Sequence, residues 1–122
     1  MSASILCFDD DPKDLELNSS LLEDAGFTVF MALDTRSAME IFMRETIDLV
    51  LLDFSLEATD GGIIAFEMRR RKPHVKIAFF CGEPNAPMPK HIVDSVIGKD
   101  FGVRRIVAEV NRLLAMPNSQ VA

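Results

Sequence analysis

Five short apolar runs, separated by segments of helical periodicity, constrain this chain more than any other feature. The runs are Ile5-Leu6-Cys7-Phe8, Phe27-Thr28-Val29-Phe30-Met31, Leu49-Val50-Leu51-Leu52, the stretch from Val75 to Phe80, and Ser95-Val96-Ile97. Each is too short for a buried helix, and most are rich in β-branched or aromatic residues, so they read as strands. The first and third are apolar throughout, the pattern of a strand covered on both faces. Helices fit between the runs. Asp11-Pro12 offers a cap and a first-turn proline, Leu15, Leu21, Leu22 and Ala25 form an apolar stripe, and Gly26 ends the helix. Asp34 or Thr35 caps a second helix with Ala38, Met39, Ile41 and Phe42 inward. A third runs from the turn Asp60-Gly61-Gly62 to about Arg71, with Pro73 stopping it. Asp100 caps a last helix whose inner face is Val103, Ile106, Val107, Val110 and Leu113 or Leu114. Strands alternating with helices predict a mostly parallel sheet with helices on both faces, a three-layer α/β/α fold. In such sheets ligands bind at the carboxyl ends of the strands.

A chain of 122 residues holds one domain, taken here as 1–122 with 116–122 as a frayed tail. A net charge of −6 disfavours nucleic-acid binding, which needs a basic face. The one basic run, Arg69-Arg70-Arg71-Lys72, falls where a helix ends, a position that favours cations. No apolar stretch is long enough to cross a bilayer, and the start has no basic region typical of a signal peptide. Cys7 and Cys81 make no disulfide framework, which fits a reducing, cytoplasmic setting.

Chemistry is concentrated where strands end. Asp9 and Asp10 follow the first run, Asp53 follows the third, and Lys99 follows the fifth. If the first and third strands are neighbours, their ends lie about 5 Å apart. Three carboxylates then share one small site, and their mutual repulsion calls for a compensating cation. An oxygen-only donor set suits Mg²⁺, and the Lys99 ammonium can meet a phosphoryl oxygen. A carboxylate so placed can act as a nucleophile and form an acyl phosphate. Each residue alone has a plainer explanation. A strand-end aspartate is often a turn former or cap, as Asp11 is read here, and a lone lysine is commonly solvated. The four together are far more specific.

With these residues on the page, the chain resembles the receiver domains of two-component response regulators, which have a CheY-like fold. The resemblance runs from about Ser4 to Leu114 and rests on Ile5-Leu6-Cys7-Phe8-Asp9-Asp10-Asp11-Pro12, Asp48-Leu49-Val50-Leu51-Leu52-Asp53, Asp60-Gly61-Gly62 and Lys99. It implies a five-stranded parallel sheet of order 2-1-3-4-5. It implies Asp53 as phosphoacceptor, and Asp9, Asp10, Asp53 and the backbone carbonyl of Ser55 as Mg²⁺ ligands. Lys99 would contact the phosphoryl group. The implied partner is a histidine kinase or a phosphotransfer protein. The chain would be no enzyme beyond self-phosphorylation from small donors and self-dephosphorylation. A monomer or weak dimer is expected, with no nucleic-acid or membrane partner.

Four departures from the family pattern follow. Cys81 stands where the family has Ser or Thr, and a thiol is a weak donor; it reads as a small core residue, with a reactive thiol as the lesser alternative. Val96 stands where the switch aromatic belongs, and the chain has no Tyr or Trp. Asp100 replaces the proline after the lysine. A cis bond before a non-proline costs about 2.5–4 kcal/mol, so that bond is predicted trans. The Cys81-to-Lys99 interval is short and proline-rich, so the family's fourth helix is expected to be short or absent. In the implied strand order Cys7 and Cys81 sit about 9–10 Å apart, beyond disulfide reach.

Three functions compete on this reading. The first is a phosphorylatable signalling module. The second is a degenerate receiver that binds a partner without phosphorylation, motivated by Cys81, Val96 and Asp100. The third is a phosphatase of the haloacid-dehalogenase kind. That reading wants an aspartate two residues after the nucleophile, where this chain has Ser55. A DNA-binding domain has no room in the stretch 115–122 that follows Leu114.

Overall fold

The computed structural model describes residues 2–53, 61–81, 92–98 and 103–117. Its elements alternate as expected: β1 (Ser4–Phe8), α1 (Pro12–Asp24), β2 (Thr28–Ala32), α2 (Thr35–Arg44), β3 (Leu49–Asp53), α3 (Gly61–Arg71), β4 (Lys76–Cys81), β5 (Ser95–Gly98) and α4 (Val103–Ala115). All four pairings are parallel, and the strand order is β2-β1-β3-β4-β5. The sequence boundaries of β2 and β4 were early by one residue.

Strand periodicity sorts the core into two layers. Leu6, Phe8, Val50, Leu52, Ile77 and Phe79 turn to one face, where α2 and α3 cover them with Ala38, Phe42, Ile64, Ala65 and Met68. Ile5, Cys7, Leu49, Leu51, Ala78 and Phe80 turn to the other, where α1 and α4 bring Leu15, Leu22, Ile106, Val110 and Leu113. Every residue of β3 is buried, as a central strand between two helical layers requires. Cys7 is a free, buried thiol on β1, and β3 separates its strand from that of Cys81.

Local chemistry explains the ends. Asp11 is extended and its carboxylate accepts from Lys13 N, capping α1 ahead of Pro12. Gly26 has φ of +99°, a left-handed turn that glycine adopts without a Cβ clash. Asp34, rather than Thr35, caps α2 by accepting from Ser37 N, which holds its carboxyl below the usual range. The inner face of α1 needs correction. It buries Leu15, Asn18, Ser19 and Leu22, whereas Leu21 is half-buried and Ala25 exposed. From Leu15 to Leu22 is two helical turns, and the positions between that share their face are 18 and 19. Among the expectations that lie outside the described residues are the short fourth helix between β4 and β5, the Asp100 cap and the trans bond at Lys99-Asp100, and the inward side chain of Val103.

The basic run at the end of α3 does more than complement the helix. Arg69 donates to the carbonyls of Ile92, Pro73 and Val75 and pairs with Asp94 at 2.7 Å. Asp94 Oδ2 also accepts from Ile77 N at 2.8 Å, so one ion pair joins α3, β4 and the approach to β5. Lys72 donates to the carbonyls of Phe42 and Glu45, closing the end of α2. Arg70 and Arg71 both meet Glu67, whose pKa falls to about 2 through those two hydrogen bonds.

Candidate functional site

The carboxyl ends of β1 and β3 bring the expected aspartates together. Phe8 lies in register with Leu52, so the next residues, Asp9 and Asp53, are neighbours at the rim of the sheet. Each shares the strand parity of Cys7 and Leu51, which turns it toward the α1 side. Asp9 and Asp53 are 3% and 5% exposed, whereas Asp10 is open to solvent. One carboxylate oxygen from each of the three lies within 4.8 Å of the others. Around them the backbone is fixed: Asp9 N donates to Ala32 O, and Asp9 Oδ1 accepts from Asp11 N at 2.9 Å.

Crowding of this kind is what a small, hard cation relieves. Three carboxylate oxygens from two buried aspartates and one exposed aspartate leave one side open, the donor set and access that suit a divalent ion retaining waters. The residues present therefore fit Mg²⁺.

The remaining expected residues distribute as follows. Cys81 is the last residue of β4, one step beyond Phe80, which pairs with Asp53; its side chain lies outside the described residues. Val96 pairs with Phe79 and packs half-buried against the α2–α3 layer. Ser55, Lys99 and Asp100 lie outside the described residues; Lys99 directly follows Gly98, the buried end of β5. A cleft of about 540 Å³ opens at the opposite end of the sheet between Asp48, Lys72, His74, Lys76 and Met116. It carries none of the clustered aspartates, and its two lysines are engaged by backbone carbonyls.

The geometry has an established counterpart. The model of the response regulator receiver domain family matches residues 5–111. The chain belongs to this family. Among solved structures, this receiver domain is similar to the response regulator TrrA of Thermotoga maritima in complex with Mg²⁺-BeF. The two are 26% identical over 91% of this chain and 98% of that one, with a TM-score of 0.83. TrrA bound to the histidine kinase ThkA matches at 27% identity over 93% and 99%, with a TM-score of 0.84. CheY4 of Vibrio cholerae, at 21% identity over 93% and 99% and a TM-score of 0.85, shares the fold.

Sequence reasoning missed Asn18. It sits on α1 beneath Asp9 and Asp53, 6% exposed, and lines a small cavity with both of them. The signal was present in the helical spacing from Leu15 to Leu22.

Proposed function

We propose that this receiver domain accepts a phosphoryl group on Asp53 from a histidine kinase or phosphotransfer protein. The observation that carries the reading is the meeting of Asp9, Asp10 and Asp53 within 4.8 Å at adjacent strand ends. Asp53 is the one that ends the central strand, so its carboxylate is held by a fully buried backbone. In the transfer an Asp53 carboxylate oxygen forms a bond to phosphorus while the N–P bond of the donor's phosphohistidine breaks, and the imidazole leaves with the electron pair. Asp9, Asp10, Asp53 and the Ser55 carbonyl would hold Mg²⁺, which when bound offsets the carboxylates' charge and that of the phosphoryl oxygens. Lys99 would meet a further phosphoryl oxygen. TrrA, solved with Mg²⁺-BeF and with its kinase, supports both the cation and the partner.

On this reading residues 1–122 form one receiver domain, monomeric or weakly dimeric, in the cytoplasm. No helix among the described residues is long and apolar enough to cross a membrane. Val96, a half-buried valine in place of a swinging aromatic, means that any switch runs without that side chain. The test is incubation with Mg²⁺ and a small phosphodonor, followed by intact mass. Wild type gains one phosphoryl group and Asp53→Ala gains none. Equal gain by both, or none by either, overturns the proposal and favours a binding module that works without phosphorylation.

A further inference from the structure

We propose that the outer edge of β2 is a docking site for an extended, apolar and basic segment of a partner protein, which adds to the sheet as a further strand. β2 lies at one edge of the sheet and pairs with β1 alone. Thr28 N donates to Ala3 O, and Ala32 O accepts from Asp9 N, so residues 28, 30 and 32 direct their backbone groups inward. Successive residues of a strand alternate in this respect, so the N–H and C=O of Val29 and Met31 point away from the sheet. Among the described residues no strand meets them. Edge strands are commonly kept from pairing by a charge, a proline or a bulge. β2 uses none of these. Thr28-Val29-Phe30-Met31-Ala32 carries no charge and no proline, and its register with β1 runs unbroken through all five residues.

Beside the carboxyl half of this edge an open groove of about 530 Å³ lies between the first turn of α1 and the start of α2. Its apolar lining includes Pro12, Leu15, Met31 and Leu33, and the last two are 53% and 47% exposed. Side chains of an added strand alternate between faces, so those on the α1 side enter this groove. Main-chain pairing then supplies affinity and the groove supplies selectivity. Charge selects the occupant. Glu16 and Asp34 are the charged residues of the lining, and both are acidic. Helix N-termini favour anions, but those of α1 and α2 are already capped by Asp11 and Asp34. Lys13 and Arg36 adjoin the groove in sequence without lining it, and Arg36 is drawn to Glu40 at 3.1 Å. The complement is a segment with Lys or Arg beside its apolar residues. A second copy of this chain, at net charge −6, would bring its own acids to the same edge.

The probe is a set of labelled peptides of about seven residues, alternating valine with threonine and carrying two lysines, with a matched set carrying two glutamates. Binding to the full chain is read by fluorescence polarisation, and amide hydrogen exchange is read residue by residue. The lysine peptides should saturate the chain and bind at least about tenfold more tightly than the glutamate peptides. On binding, the Val29 and Met31 amides should gain protection, while Phe30, already turned to β1, should change little. Met31→Pro removes one outward N–H and no bond to β1, and should weaken the lysine peptides about tenfold. Glu16→Lys, an exposed change that spares the strand, should narrow the preference for lysine over glutamate and stands in should Met31→Pro misfold. No saturation by any lysine peptide overturns the proposal. So does saturation without new protection at Val29 and Met31, or equal binding of the two sets. A free chain that is already dimeric with those amides protected gives the edge to a second copy and overturns it too. None of these readouts depends on phosphoryl uptake by Asp53, so their failure leaves the phosphoacceptor reading standing.

Discussion

The ion pair between Arg69 and Asp94 is the tie between the end of α3 and the strand that leads to Lys99, and removing it should loosen that end of the sheet. Arg69→Met keeps the aliphatic stem and deletes the guanidinium. Four donated bonds vanish: 3.2 Å to Ile92 O, 3.0 Å to Pro73 O, 2.6 Å to Val75 O and 2.7 Å to Asp94. Breaking a fully buried pair costs about 3–5 kcal/mol. Here the two side chains keep 22% and 18% of their exposure, so water screens part of the loss. About 2–3 kcal/mol remains, a large share of the roughly 5–15 kcal/mol that stabilises a domain of this size. With a urea slope of about 1.5 kcal/mol per molar, the midpoint falls by about 1–2 M. The chain lacks Trp and Tyr, so far-ultraviolet circular dichroism is the probe of choice. Asp94→Asn retains an acceptor for Ile77 N, and the double variant isolates the charge pair. A midpoint within about 0.3 M of wild type, at unchanged slope, would refute the clamp.

Three further outcomes follow from the packing and charge. Phe42→Ala deletes a fully buried ring that also lies under the Lys72 ammonium at 4.7 Å, and should cost about 3–5 kcal/mol by the same urea assay. Burial pushes the Cys7 thiol up to about 12 from 9.0, so the unfolded chain ionises first as pH rises. The stabilisation is whole below pH 9 and lost towards pH 12, on the order of 2–4 kcal/mol, and Cys7→Ala should abolish that part of the alkaline decline. The same burial should leave native Cys7 unlabelled by iodoacetamide, read by peptide mass. Hydrogen bonds from Arg112, and then from Ser95, hold the Glu109 carboxyl below its usual value of 4.5. Its contribution is present above pH 4.5 and lost as pH falls through the lowered value, so Glu109→Gln should flatten the acid side of the stability curve.

What the sequence revealed and what it hid have a common physical cause. Strand identity was legible because a central parallel strand must be apolar on both faces, and residues 49–52 satisfy that without reference to anything distant. The aspartates were legible because an acidic residue directly after such a strand can only sit at its rim. Arg69 was not. Four consecutive cations look alike in sequence, yet one ties three elements, two share Glu67, and one closes α2. Their separate roles depend on where β5 begins and α2 ends, which no local pattern encodes. Asn18 lies between these cases. Reading α1 by its apolar residues alone put Leu21 and Ala25 on the inner face, but one side of a helix cannot hold residues 15, 22 and 25 together with 21 while leaving 18 and 19 outside. Periodicity applied to position instead of to residue type places a carboxamide under the acidic cluster. The polar residue that breaks the stripe lines the same small space as Asp9 and Asp53, at the carboxyl ends of β1 and β3.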